Sequence, residues 1–394
     1  MIKKAIFLIE SPFDFQKYER FGIEFLQSKG FEVAVWDLTS VLYPERLKEN
    51  FMPHPRQFED IVRFNDQEEA YDKLCHLSSN DFVMNHIVYN YESLGVYRAL
   101  SRSKSKYGSF FHDSVPISHE VVSDMRLKRL KDIFRFKQSN ATWKKICLKL
   151  PFKCLGVKCA DFVLIVGKRS IISRFPMDKS TKLLKAHSSD YDLYLRKKEE
   201  SFEKQSIAVF IDENHPFARD VTRLKIDKTQ MTADRYYPLV NKFFDLVEEK
   251  TGLKVVIAAD PQSEYEKLGD YYKGRTRLRD KTMELIRSCQ LVLGHSSTAL
   301  SFANIFNKPV IFMTCRNLEK ACDGGQIAEM AKWFGKRPVN MEHDPKEIDW
   351  EKELKVDKAS YDRYRRNYIK AKDSEDLSLW EIVINKLRLE FCRF

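Results

Sequence analysis

The sequence predicts a two-lobed α/β protein with a parallel sheet in each lobe. Short apolar runs alternate with stretches of helical spacing along most of the chain. The alternation lapses at the charged stretch YLRKKEESFEKQS (194–206) and then restarts. The length, 394 residues, is ample for two cores.

The first run, residues 4–9, is an apolar strand. The next stretch, DFQKYERFGIEFLQSKG, spaces Phe15, Tyr18, Phe21, Phe25 and Leu26 as on one helical face, and Gly30 ends it. FEVAVWDL is the following strand, so this is a β-α-β unit with a right-handed crossover and parallel strands. DFVMNHIV, YGSFFHDS, DFVLIVG and TKLLKAHS supply further strands. After residue 206 come the strand IAVFID and a helix running from the N-cap Thr232 to the terminator Gly252. KVVIAAD, KTMELIRSC, QLVLGH, TALSFANIF and PVIFM then alternate strand and helix. The last stretch, LSLWEIVINKLRLEF, is amphipathic through Leu379, Ile382, Val383, Leu387 and Phe391, and is expected to cross back onto the first lobe. Expected boundaries are 1–200 for the first lobe, 201–375 for the second and 376–394 for the crossing helix.

Composition excludes several classes. A hydrophobic fraction of 43% and an aromatic fraction of 13% suit a folded protein rather than a disordered one. The eight cysteines form no C-x-x-C pair, so reduced thiols in a cytosolic protein are expected, with no zinc site. The apolar start of the chain is too short for a signal peptide and stops at Glu10. No run approaches the roughly 18 apolar residues of a membrane span.

The net charge of +11 is unevenly spread. From Asp124 to Lys158 there are eleven Lys or Arg against two Asp, a net of +9. Leu127, Leu130 and Phe134 share one helical face there, and Trp143, Ile146 and Leu150 another. A basic amphipathic insertion of this kind fits an anionic membrane surface. An ordinary helix pair packed on its own lobe would read the same way. No nucleic-acid-binding motif accompanies the charge, so nucleic acid is not an expected partner.

Candidate site residues gather just after apolar strands. In VLGHSSTALSFANIFNKPVIFM (292–313) a strand runs through Gly294 and His295 into Ser296, Ser297 and Thr298, and then into a helix. Free backbone N–H groups, the helix dipole and three hydroxyls at the carboxyl edge of a parallel sheet suit a phosphate or carboxylate. The plainer reading is a helix cap. FIDENHPFARD places Asp212, Glu213 and His215 after another strand, where a carboxylate can take a hydroxyl proton or cap a turn. Glu10 and Ser11 follow the first strand, His112 and Asp113 follow YGSFF, and His187 follows TKLLKA. Lys273 and Arg275 precede the helix that leads to His295 and can neutralise an anion.

IFLIESPFDFQKYERFGIEFLQSKGFEVAVWDLT, AVFIDENHPF and ELIRSCQLVLGHSSTALSFANIFNKPVIFM together resemble bacterial surface-carbohydrate (capsule and lipopolysaccharide) biosynthesis proteins, glycosyltransferases of the GT-B type. The resemblance implies two Rossmann-like domains facing a central cleft, with the acceptor on the first and a nucleotide sugar on the second. The likeness to sialyl- and keto-sugar-acid transferases is partial: Asp212-Glu213 is followed by Asn214 rather than Gly, and His215-Pro216 adjoins the acidic pair. A CMP-linked acidic sugar is thereby suggested. On this reading Asp212 is the general base, with Glu213 as its substitute. His215, Lys273, Arg275, His295, Ser296, Ser297 and Thr298 hold the donor. Glu10, Ser11, His112, Asp113 and His187 meet a glycan or lipid-linked glycan acceptor. No metal and no cofactor beyond the nucleotide-sugar co-substrate is expected, and the place of work is the cytoplasm or the inner face of its membrane. The rivals are a nucleotide-sugar 2-epimerase and a non-catalytic glycan- or membrane-binding component of an assembly complex.

Overall fold

The computed structural model describes residues 3–48, 58–111, 115–116, 148–169, 175–217, 232–260, 263, 269–320 and 323–391. These form two compact units. One contains the described residues up to 111, 148–189 and 371–391, and the other contains 115–116 and 190–370. The division after Ser189 falls earlier than the charged stretch suggested. The helix Ser189–Lys197 runs into that stretch, and Arg287 donates to the carbonyls of Lys197, Lys198 and Glu200. Residues 197–200 are therefore tied to the second unit rather than left as a loose linker.

The first unit is built on a seven-stranded parallel sheet. Its strands are β1 (Lys4–Ile9), β2 (Glu32–Asp37), β3 (Ile61–Arg63), β4 (Asp81–Asn85), β5 (Lys106–Phe111), β6 (Phe162–Ile165) and β7 (Lys182–Lys185). They lie in the order β3-β2-β1-β4-β5-β6-β7. Chain order reverses between β1 and β4, so the loops after these two strands diverge to opposite faces and leave a crevice at their carboxyl ends. The single helix expected after β1 is two, Phe15–Arg20 and Ile23–Ser28, separated at Gly22. Gly22 has φ of 56°, and a Cβ there would lie 2.1 Å from Cδ1 of Trp380. Trp380 comes from the last helix, Leu379–Phe391; it stands edge-on to Phe7 at 5.2 Å and donates Nε1–H to the carbonyl of Arg20 at 2.8 Å. The C-terminal helix thus completes the core of the first unit.

The second unit repeats the plan with six strands, β8 (Ile207–Ile211), β9 (Lys254–Ala259), β10 (Arg277–Arg279), β11 (Leu291–Gly294), β12 (Val310–Thr314) and β13 (Val339–Asn340). Their order is β10-β9-β8-β11-β12-β13, with all pairs parallel and the reversal between β8 and β11. β8, β11 and β12 are buried throughout and apolar apart from Thr314 at the end of β12, as strands covered on both faces tend to be. Among the described residues no helix is long and apolar enough to cross a membrane.

Of the basic insertion, residues 124–147 lie outside the described residues. At its end, Leu148 and Phe152 pack against the first core while Leu150 is exposed. Lys158 turns inward and donates to the carbonyl of Ser105 at 2.9 Å over the ring of Tyr107, and burial holds its pKa below the usual lysine value. One of the eleven cations is therefore committed to the fold and not to a surface.

Candidate active site

The β8–β11 register pairs Leu293 with Phe210. Three residues further along each chain stand Ser296 and Glu213, and the structure joins them. The Glu213 carboxylate accepts from the backbone N–H of Ser296 at 2.8 Å and of Ser297 at 3.0 Å, both on Oε1. Its Oε2 lies 3.4 Å from Ser296 Oγ and 3.9 Å from His215 Nε2. The Glu213 side chain keeps 19% of its surface exposed. Successive amides converging on one oxygen are a strong oxyanion cradle, and here it holds the protein's own carboxylate.

The neighbouring acid is different. Asp212 is buried; its Oδ1 accepts from Tyr272 Oη at 2.9 Å and from the N–H of Asn214 at 2.8 Å. Those bonds fix a turn in which Asn214 adopts a left-handed φ of 49°. Asp212 shapes the loop from inside, and Glu213 is the acid at its surface. Burial thus separates two acids that the sequence reading ranked with Asp212 first.

His295 departs further from expectation. Its ring is fully buried, with Nδ1 2.7 Å from the carbonyl of Met313 and Nε2 2.8 Å from Tyr236 Oη. A carbonyl can only accept, so Nδ1 carries the proton and Nε2 accepts from the tyrosine. Burial, reinforced by His215 at 4.8 Å between ring centroids, lowers the imidazole pKa to about 4. His295 is a neutral brace between β11, β12 and the helix Ala233–Thr251, with no nitrogen left for a phosphate. The expectation that it contacts the donor is corrected by this geometry.

The three hydroxyl residues divide. Thr298 is exposed, and Ser296 and Ser297 are half-buried. Ser297 Oγ accepts from the N–H of Ala299 at 3.2 Å, a turn bond ahead of the helix Leu300–Ile305, whose N-cap is Ala299 and which has no side-chain cap, so the expected capping by serine is not formed. Lys273 is exposed in a left-handed turn with φ of 53°. Arg275 is not available to a ligand: its guanidinium is spent on Glu248 at 2.8 Å, Asp245 at 2.5 Å and Asn241 Oδ1 at 3.0 Å. Those two carboxylates lie on the helix Ala233–Thr251, so Arg275 fastens that helix to the loop before β10.

In the first unit Glu10 is half-buried at the β1–β4 reversal. Its Oε2 accepts from the N–H of Val88 at 3.1 Å, and Arg46 Nη1 donates to its Oε1 at 3.3 Å and its carbonyl at 2.8 Å. Ser11 follows it, half-buried. His187 is fully buried with Nε2 2.8 Å from the carbonyl of Leu377, which pins the returning C-terminal segment beside β7. This makes it a structural residue rather than an acceptor contact. His112 and Asp113 lie outside the described residues.

Sequence reasoning missed Tyr236, Tyr272 and Arg46. The two tyrosines sit among apolar neighbours and read as core, yet a buried phenol needs a polar partner, and here those partners are the site's His295 and Asp212. Arg46, in YPERLK, reads as an ordinary surface cation.

Two Rossmann-like units, each reversing chain order beside its first strand and with the C-terminal helix returned to the first, define a GT-B fold. Among solved structures, the wall teichoic acid polymerase TagF is similar over 99% of this chain and 90% of its own, at 13% identity and a TM-score of 0.54. MurG of Acinetobacter baumannii aligns over 98% of this chain and 99% of its own at 9% identity and 0.46. The UDP-GlcNAc 2-epimerase of Methanocaldococcus jannaschii does so over 98% and 99% at 10% identity and 0.45. Identities this low concern the fold alone, and the fold assignment rests on the first. No protein-family profile and no curated protein matches the chain.

Proposed function

We propose that this chain is a nucleotide-sugar-dependent glycosyltransferase that extends a bacterial surface glycan, with Glu213 as its general base. The observation that carries the reading is the Glu213 carboxylate, part-exposed and aimed by the amides of Ser296 and Ser297 at the β8–β11 reversal. Open α/β sheets bind their ligands at this place. Glu213 takes the proton of an acceptor hydroxyl as that oxygen bonds to the anomeric carbon, and the nucleotide leaves with the electron pair of the broken C–O bond. The hydroxyls of Ser296 and Thr298, with Lys273 next to the Tyr272 that bonds Asp212, meet the negative charge that develops on the departing phosphate. His295, Tyr236, Asp212 and Tyr272 hold this constellation rigid from behind.

The test begins with thermal shifts of the whole protein against CMP-, UDP-, GDP- and CDP-linked sugars, since a ligand of the folded state raises the melting temperature by mass action. Transfer from the binding donor is then measured for wild type and Glu213→Gln. The amide side chain keeps an oxygen for the two N–H groups but is not a base, so transfer should fall at least about a hundredfold while the melting temperature holds. Undiminished transfer by Glu213→Gln would sink the assignment. Isomerisation of the donor when no acceptor is present would replace a transferase with an epimerase.

A further inference from the structure

We propose a second anion-binding site, in the first unit, with Arg46 as the residue that reads a phosphate or carboxylate on a sugar-like ligand. Arg46 sits on a short turn, Pro44–Lys48, beyond β2. Its guanidinium carbon stands over the ring of Tyr43, 3.9 Å from the centroid. One nitrogen, Nη1, is taken by Glu10. Among the described residues neither Nη2 nor Nε donates to a protein group, and 21% of the side-chain surface is exposed. An arginine held over a ring and tethered at one corner presents its remaining N–H groups in a fixed fork, the geometry that matches a carboxylate or phosphate.

The tether is itself braced. Tyr43 Oη accepts from Asn90 Nδ2 at 2.6 Å, and Asn90 Oδ1 accepts from the N–H of Ser93 at 2.9 Å. Ser93 Oγ donates to the carbonyl of Val88 at 2.7 Å, and the N–H of Val88 returns to Glu10. This closed ring joins the loops after β1, β2 and β4, at the chain reversal where such a sheet binds ligands. Leu47 and Val88, 52% and 54% exposed, flank it and suit the apolar face of a sugar ring. The site stands apart from the chemistry assigned to Glu213 and can be tested without any turnover.

Calorimetric titration of the full chain with glycerol 3-phosphate and with methyl glucuronoside separates a phosphate from a carboxylate ligand, with methyl glucoside as the uncharged control. At least one anion should bind more tightly than the control. Arg46→Met should weaken that binding about tenfold, the loss of one charge-assisted pair. Glu10→Gln keeps an acceptor for Val88 but removes the competing charge, so it should tighten binding severalfold. A merely structural arginine predicts no such gain. The proposal is overturned if neither anion exceeds the control, if Arg46→Met binds as wild type does, or if Glu10→Gln leaves anion affinity unchanged. Should Arg46→Met not fold, the Glu10→Gln result decides alone.

Discussion

The two chain reversals are built alike and finished differently. In each unit the first strand is followed by a glutamate, Glu10 after β1 and Glu213 after β8, and in each the carboxylate accepts backbone N–H from the loop after the fourth strand. In the second unit two amides grip one oxygen, and the nearest cationisable ring, His215, stands 3.9 Å away. In the first unit a single amide is joined by the full charge of Arg46. A carboxylate gripped by backbone amides and still part-exposed keeps an edge open to a substrate proton. A carboxylate paired with a guanidinium gives up that freedom, and the arginine becomes the group with capacity to spare. The same backbone plan thus yields a candidate base in one unit and a candidate anion reader in the other.

The comparison can be broken most sharply by exchanging the acids for amides. Glu213→Gln should cost at least about a hundredfold in transfer, whereas Glu10→Gln should change it by no more than a few-fold, and upward where the acceptor is anionic, measured as kcat/KM with one donor and acceptor. Equal losses would erase the distinction between the reversals. The next largest effects concern stability. Trp380→Ala removes a buried indole from the first core and leaves the carbonyl of Arg20 without its donor, which should cost about 3–5 kcal/mol. Hydrogen exchange should then rise in β1 and β4 more than in β8 and β11.

Acid should act on the opposite unit. The folded His295 pKa of about 4 lies below the ordinary 6.5 because burial disfavours the charged ring. The unfolded chain therefore binds a proton in this window that the folded chain does not. Stability is complete above about pH 6.5 and falls as pH drops toward 4, by about 3 kcal/mol in all. Exchange of amides in β8 and β11, corrected for intrinsic rate, should accelerate between pH 7 and 4.5 while β1 and β4 hold. Uniform acceleration in both sheets would remove His295 as the cause. The smallest effect belongs to Tyr272→Phe, which deletes one bond to Asp212 and should lower stability by about 1–2 kcal/mol by urea unfolding. If Asp212 only positions the acidic turn, this variant lowers kcat modestly and leaves the pH profile of transfer in place.

Much of this was legible in the chain. Alternating apolar and amphipathic stretches set two parallel sheets, because a strand covered on both faces tends to be apolar and a crossover helix must bury one stripe. Strand ends could be marked to within about three residues, and Glu10, Glu213 and Ser296–Thr298 do follow strands. What sequence could not supply was burial at those ends. Asp212 and Glu213 are adjacent and chemically alike, yet one faces Tyr272, 60 positions away, and the other faces Ser296. Arg275 and His295 carry suitable groups for an anion, and both are spent on partners brought from elsewhere in the fold. Residue type and spacing determined the elements and the positions where polar groups emerge. Which of those groups is buried and bonded and which stays part-exposed was decided only when distant strands met, because a hydrogen-bond partner depends on distance in space and not on distance along the chain.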